Sequence, residues 1–521
     1  MHRLSLFLLA VLALPAQAEI KLPKVFTPHM VLQRGMAVPV WGTAAPGEKV
    51  EVSFRNQSKT VEAGADGKWS LKLDPLLAGG PDVLSVGKIK LFDVLVGEVW
   101  VGSGQSNMDM PVTSYTANDP HLAKLATGTY PKLRLMLKNG DAKWEQATPE
   151  TIATFSALLF SFGQPLQAKL DIPVGLMVGA VGGTPSGFWL TDDMLKADEA
   201  CQAEIKREAA TYDFAGLTAK YKEDKAKYDK DVEIWKPLAE AAKKEGKPLP
   251  PGPRRPNPAG KPGEANFGKV GSLFENFIRP YVGYAIKGVL WDQGESKTNI
   301  ACLDQYTLMG ALIKGWRREW GHGDFPFLYV QKPSGGGPAW DYENPVTEKA
   351  NKFMPLPKAL PPLPDPAYSQ EMHLKIMSYP ATFMVTSTDL GAGTHPTNKS
   401  GYGERASQVA LSAAYGDKHE IYGPLYAGHK IEGNKVRISY THVGQGLAPR
   451  HSETIQGFEV AGADKVFVWA DAVIQNDSII VSAKQVQRPV AVRYAWSGQF
   501  PWANLFNKDG LPAQPFRTDA W

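Results

Sequence analysis

The sequence predicts an α/β domain with a parallel sheet, flanked at its N- and C-terminal ends by β-rich, sandwich-like domains. Three observations carry that reading. Short apolar runs recur between residues 94 and 386, each followed by Gly or polar residues, as expected of strands buried on both faces. Towards both ends of the chain the apolar residues alternate instead, as in strands with one wet face. The 50 Gly and 41 Pro among 521 residues exceed ordinary usage and supply the turns that many strands need.

The first element is a targeting segment. His2-Arg3, an apolar run over 4–14 and Ala16-Gln17-Ala18 read as a cleaved export signal over residues 1–18. The run is too short to span a bilayer, so a periplasmic or secreted, non-membrane protein is expected. Residues 19–92 form a β domain: Val50, Val52 and Phe54 alternate, as do Trp69, Leu71 and Leu73, with Asp66-Gly67 between them as a hairpin turn. The α/β domain covers 93–419, with strands expected over 94–101, 173–181, 286–291, 325–331 and 382–386. An insertion at 191–265, rich in Lys, Glu, Asp and Ala and then in Pro, reads as a helical hairpin with a solvated charged face, followed by an extended loop. In the C-terminal domain, 420–521, Val436, Ile438 and Tyr440 alternate, and Asn476-Asp477-Ser478 separates the runs at 466–469 and 479–481. This is a β-sandwich placed to complete the N-terminal one.

The 57 basic and 53 acidic side chains leave a formal charge of +4. That small surplus argues against nucleic acid as a partner. Cys201 and Cys302 are the two cysteines, too few for a disulfide framework or a four-thiolate metal site; outside the cytoplasm they could pair. The ten histidines are scattered without zinc-ligand spacing.

The chemistry centres on Ser106. The run at 94–101 leads into Gly102-Ser103-Gly104-Gln105-Ser106-Asn107. A hydroxyl there stands at the carboxyl end of a buried strand, where open α/β sheets place ligands. N–H groups beyond the strand are free to face an oxyanion, and a serine needs a base before it becomes a nucleophile. Taken alone, Gly-Gln-Ser-Asn is also an ordinary polar turn. Gly182-Gly183-Thr184-Pro185, Trp291-Asp292-Gln293-Gly294-Glu295-Ser296 and His395-Pro396 each follow a further apolar run. No Gly-x-Ser-x-Gly elbow surrounds Ser106, which argues against a lipase. Trp189 and Trp340 could stack on a sugar ring. Arg405 could steer an anion, although a solvent-facing helix position suits it better.

Taken in order, these segments resemble the sialate O-acetylesterase family of the SGNH-hydrolase superfamily. The matching elements are Val96-Gly97-Glu98-Val99-Trp100 leading into Ser103-Gly104-Gln105-Ser106-Asn107-Met108, then Gly182-Gly183-Thr184-Pro185. Ile286-Lys287-Gly288-Val289-Leu290-Trp291 with Gln293-Gly294-Glu295-Ser296 follows, then His395-Pro396 with Lys399. The tail adds Arg493-Tyr494-Ala495-Trp496, Gly510-Leu511-Pro512-Ala513 and Pro515-Phe516-Arg517-Thr518. The resemblance implies a flavodoxin-like SGNH hydrolase domain and a serine-type carbohydrate O-acetylesterase. Its substrate would be a small molecule or oligosaccharide carrying O-acetyl esters: an acetylated sialic acid, or an acetylated plant or algal polysaccharide. Ser106 would be the nucleophile and His395 the base. The Ser106 and Gly183 N–H groups and the Gln293 side chain would form the oxyanion hole. Gln105, Asn107, Trp189 and Glu295 would contact substrate. No metal or organic cofactor is implied.

The chain also departs from the pattern. Many SGNH enzymes carry Asp three residues before the histidine; here that residue is Ala392. Asp389 and Glu295 are the two candidate partners for His395, and a bare Ser–His pair is the third arrangement. Asp292 and Lys297 differ from the residues usual in relatives and bear on substrate preference. The missing Asp motivates a rival reading, a degenerate hydrolase that binds glycans without turnover.

Overall fold

Seven strands open the chain: β1 (Val31–Gln33), β2 (Val38–Thr43), β3 (Lys49–Phe54), β4 (Gln57–Glu62), β5 (Lys68–Leu73), β6 (Gly79–Val86) and β7 (Ile89–Gly104). They belong to a computed structural model that describes residues 19–136, 142–361 and 365–521, so the expected export signal lies outside the described residues. Val50, Val52 and Phe54 point inward from β3, and Trp69 and Leu73 from β5. The two strands do not pair. β3 is bonded to β4 and β6, and β5 to β2. The turn at Asp66-Gly67, with Gly67 at φ +76°, therefore carries the chain from one sheet to another and closes no hairpin. β4 intervenes unannounced because its sequence, Gln-Ser-Lys-Thr-Val-Glu, is nearly all polar and every second residue is exposed.

β7 holds the molecule together. Its first part pairs with β6; further along it pairs with β1, β10 and β11. The expected boundary at 92/93 thus falls inside one strand. The N-terminal β layer and the α/β domain share a single hydrophobic core. Two residues that look like breaks in the apolar run are accommodated. Buried Glu98 is bonded by Gln33 and Arg34, and at Gly97 a Cβ would lie 1.9 Å from the Pro173 carbonyl oxygen.

The central sheet adds β8 (Tyr130–Met136), β9 (Trp144–Ala147), β10 (Val174–Ala180), β11 (Gly288–Asp292), β12 (Phe327–Val330) and β13 (Thr382–Val385), in the order β13-β12-β11-β7-β10-β8-β9. All neighbours run parallel except β8 and β9. The sheet is thus mixed, because the seven residues between Met136 and Trp144 are too few for a parallel crossover. With that edge hairpin set aside, the strands stand second, first, third, fourth and fifth in chain order, a doubly wound arrangement whose switch point lies between β7 and β11.

Five helices matter below: α1 (Ser106–Asp109), α2 (Ala157–Leu170), α3 (Phe214–Lys244), α4 (Gln305–Trp320) and α5 (Lys399–Tyr415). α5 packs on α2 through Gly403, where a Cβ would come 2.3 Å from the Ser161 carbonyl carbon. The insertion holds three helices, at Asp192–Ala197, Glu199–Ala209 and α3, where a helical pair was expected. α3 buries only Ala239 and is otherwise exposed or half-buried, as its charge pattern implies, and Trp235 donates to the Pro250 carbonyl to pin the Pro-rich loop. No helix among the described residues is long and apolar enough to cross a membrane. Cys201 and Cys302 are both free thiols, Cys201 being buried.

The C-terminal strands build sheets of their own. β14 (Leu425–Glu432), β15 (Lys435–Thr441), β19 (Asp471–Gln475) and β20 (Ser478–Ser482) form one; β17 (Phe458–Ala461), β18 (Phe467–Trp469), β21 (Ala491–Tyr494) and β23 (Phe516–Arg517) form another; β16 (Leu447–Pro449) and β22 (Leu505–Asn507) pair separately. Val436, Ile438 and Tyr440 face a core distinct from the first. Among the described residues no C-terminal strand pairs with the N-terminal sheets, so this unit does not complete the N-terminal sandwich. β1 and β6 instead pair with β7, β3 and β4 join through β6, and β2 and β5 pair apart.

Replacing Gly403 by Ala forces α5 away from α2. The expected loss is about 1–3 kcal/mol of unfolding free energy, read as a lower urea midpoint with an unchanged slope.

Candidate active site

Strand ends position the site. β7 is flanked by β10 and β11, with Gly104 opposite Ala180 on one side and Asp292 on the other. The bonds continue past the strands: Val181 N–H donates to the Gly104 carbonyl, and Gln105 N–H to the Asp292 carbonyl. Gly104 is required here. It takes φ +129°, and a Cβ would lie 2.1 Å from the Asp292 carbonyl oxygen. The chain then turns at once into α1, whose first residue is Ser106.

The His395 Nε2 and Ser106 Oγ atoms are 2.8 Å apart, although 289 positions separate the residues in sequence. Both are open to solvent, Ser106 partly and His395 more fully. Gly182 lies alongside, close enough that a Cβ there would be 3.5 Å from Ser106 Cβ. Its N–H donates to Asp109 Oδ2 at 2.9 Å, so the fourth residue of α1 fixes the turn that presents Gly183. Gly183 takes φ +70° with open space around it. The Ser106 and Gly183 N–H groups have no acceptor among the described residues.

The other expected site residues lie elsewhere. Gln293 is fully buried; its Nε2 donates to the Thr184 and Lys297 carbonyls and its Oε1 accepts from Gln305. A buried amide takes the partners within reach, and here they brace the Gly183-Thr184 turn from behind and leave no N–H for an oxyanion. Trp189 is also fully buried, packed edge-on against Trp291 and donating to Thr184 Oγ1; it is core and offers no face to a sugar. Gln105 and Asn107 are buried and bonded to Glu295, so they support the serine from below and do not face substrate. Trp340 is half-buried, with Arg450 over its ring.

Neither candidate carboxylate reaches the imidazole. Asp389 is fully buried in a two-pronged pair with Arg405, at 2.9 and 3.2 Å. Arg405 is thus an interior clamp and not a solvent-facing residue, because its guanidinium is the fork that matches this carboxylate. Glu295 accepts from Gln105 (2.7 Å), Asn107 (2.9 Å) and Lys332 (2.9 Å). Among the described residues no carboxylate bonds the His395 ring. The loop is held through its backbone: Asn107 Nδ2 donates to the Thr394 carbonyl at 2.9 Å, and Lys399 Nζ donates to Asn107 Oδ1 at 2.6 Å.

Beneath lies a buried charge cluster. Lys332 sits 2.7 Å from Asp292 and 2.9 Å from Glu295. Burial pushes the Lys332 ammonium down, but the two carboxylates outweigh it and hold it above its ordinary value. Burial pushes Glu295 up, and Lys332 outweighs that, so Glu295 stays below the usual carboxylate range. For Asp292 burial prevails and its value is raised. His373, bonded by the Lys332 N–H, is held neutral, its pKa brought down to about 3 by burial and then by Lys332.

Sequence reading missed Asp109, Lys332 and the Thr394 carbonyl. Asp109 lies one helical step beyond Ser106, and Lys332 follows the apolar run of β12; both positions are legible once strand order is known. A backbone carbonyl leaves no mark in sequence. Replacing Lys332 by Met strands two buried carboxylates, and the expected loss is about 3–5 kcal/mol of stability, measured by urea unfolding.

No protein-family model matches the chain. It is 25% identical over 544 residues to the Homo sapiens protein named sialate O-acetylesterase, covering 94% of this chain and 90% of that one. The Mus musculus protein of the same name is also 25% identical, over 94% of this chain and 92% of its own length. Among solved structures, a carbohydrate acetylesterase from Xanthomonas citri superposes with a TM-score of 0.72 at 28% identity, over 96% of this chain and all of that one. The chain is thus similar to sialate O-acetylesterases along nearly its whole length, and not in isolated motifs, and is a carboxylic ester hydrolase.

Proposed function

We propose that the protein is a serine-type carbohydrate O-acetylesterase that removes O-acetyl groups from sialic acids or other acetylated sugars. The observation that carries the mechanism is the 2.8 Å approach of His395 Nε2 to Ser106 Oγ, within the range needed for proton transfer. The names borne by its mammalian relatives and by the Xanthomonas citri structure support an acetylated sugar as substrate. The order of the central strands supports an SGNH-type hydrolase domain, and the N-terminal segment at 1–18 supports a periplasmic or secreted setting.

The steps follow from the geometry. His395 Nε2 accepts the Ser106 hydroxyl proton as Oγ attacks the acetyl carbonyl carbon. Charge develops on the carbonyl oxygen, and the Ser106 and Gly183 N–H groups are the donors available to it. Breakdown of the tetrahedral adduct breaks the ester C–O bond, and the imidazolium returns its proton to the departing sugar oxygen. An acetyl-serine remains. Water, deprotonated by His395, attacks it, and acetate leaves as Ser106 recovers its proton. The reaction needs no redox partner.

The empty carboxylate position beside His395 favours one rival, a glycan-binding protein without turnover. Hydrolysis of p-nitrophenyl acetate separates the two readings. Ser106→Ala is expected to lower kcat by about 10³–10⁶-fold; equal rates for variant and wild type would reject the serine esterase. Acetate release from O-acetylated sialic acid set against acetylated xylan then distinguishes the substrates.

A further inference from the structure

We propose that Lys399 is a positioning residue: its side-chain nitrogen holds Asn107, and Asn107 holds the peptide carbonyl next to His395, so that a lysine–asparagine clamp aims the imidazole at Ser106. The inference rests on the serine-esterase reading.

Asn107 is saturated in a way that fixes its orientation. Its Oδ1 accepts from Lys399 Nζ at 2.6 Å, and its Nδ2 donates to the Thr394 carbonyl and to Glu295 Oε1, both at 2.9 Å. Reversing the amide would set its nitrogen against Lys399 and its oxygen against a carbonyl and a carboxylate. Lys399 therefore selects the orientation that grips Thr394. Asn107 directly follows Ser106 and Thr394 directly precedes His395, so the clamp spans the two reacting side chains by their immediate neighbours.

Stability alone would not place a lysine here. Lys399 is 1% exposed. It is the first residue of α5, where the helix dipole disfavours a cation. The groups facing it are the Tyr115 ring at 4.7 Å and the Tyr402 ring at 5.7 Å, with Asp292, Glu295 and Asp119 as nearby anions and Lys332 as a nearby cation. Burial above all, aided by Lys332, brings its pKa down to about 7 against the pull of the anions. Either protonation state keeps an N–H for Asn107, so the clamp does not depend on the charge. A methionine of similar length would remove the buried charge and fill the same space; what it would lose is the bond to Asn107. Because Lys399 is buried, it acts through Asn107 and does not touch substrate.

The test is a double-mutant cycle of Lys399→Met and Asn107→Leu on p-nitrophenyl acetate, with Ser106→Ala alongside. Lys399→Met is expected to fold with an undiminished thermal midpoint and to lose kcat by about 10–100-fold, with KM within about twofold. The double variant is expected to be no slower than the slower single variant, because the two residues act as one unit. Wild-type kcat in Lys399→Met, or fully additive losses in the cycle, would overturn the clamp. Retained turnover in Ser106→Ala would instead overturn the esterase reading on which the clamp rests. Should Lys399→Met fail to fold, Asn107→Ser carries the same expectation of lowered kcat at constant KM, and wild-type kcat there overturns the clamp equally.

Discussion

A hydrogen bond 2.8 Å long between the thirteenth-strand loop and the first helix is the constraint that orders the rest of this molecule. Neither partner is held by its own side chain. Ser106 is placed by Gly104, which lets β7 press against the Asp292 carbonyl before the chain turns. His395 is placed by a loop tethered towards both ends: Arg405 grips Asp389 and Tyr402 donates to the Gly391 carbonyl on one side, and Asn107 grips the Thr394 carbonyl on the other. Between the tethers Gly391 and Gly393 take φ +105° and +107°, conformations that glycine adopts without strain. The loop can therefore arch over the sheet edge and still return its last residues to the serine.

The buried charges below the site follow from the same requirement. Asp292, Lys332 and Glu295 are expensive to remove from water, and a well-packed apolar set of the same volume is often at least as stable. Their retention is explained by what they hold. Glu295 takes bonds from Gln105 and Asn107, the residues on either side of Ser106, while Lys332 keeps Glu295 ionised and aimed. The cluster converts the carboxyl ends of β11 and β12 into a rigid floor for the serine turn. Asp109 does the matching service on the other side through the Gly182 N–H.

Much of this was legible before any coordinates. The apolar runs mark five of the central parallel strands, β7 and β10 to β13, to within a few residues, since a strand buried on both faces has nothing to alternate; β8, also parallel, carried no such mark. The alternating residues of β3 and β15 face the cores expected of them. β4 was invisible, because a polar edge strand has no hydrophobic signal. The Asp66-Gly67 turn was seen but its topology was not, because a turn dipeptide does not say whether its strands pair. Strand-end position and resemblance single out Ser106 and His395, which the structure sets 2.8 Å apart. Gln293, expected at the oxyanion, and Trp189, Gln105 and Asn107, expected at the substrate, belong to the interior, because a residue beside a motif carries no mark of the side on which it points.

The vacancy at Ala392 then has a structural reading. In a triad the carboxylate fixes the imidazole's tautomer and orientation, and losing it can lower the rate of a serine protease by about 10⁴. Here residue 392 is exposed on the arch between the two glycines, with its backbone against Gly335, where a Cβ would lie 2.5 Å from Ala392 Cα. The loop is seated by main-chain contact at the position that elsewhere carries the acid. Orientation of the ring passes instead to the peptide carbonyl beside it, which is gripped by an amide whose own direction is fixed by a buried lysine and a buried carboxylate. Such an arrangement can aim the imidazole. It gives the imidazolium less electrostatic support than a buried carboxylate in direct contact would, since no carboxylate among the described residues bonds the ring and Glu295 is already bonded by three other partners. On the proposed mechanism, aiming and charge stabilisation, which a triad joins in one residue, are separated here, and the clamp supplies the first.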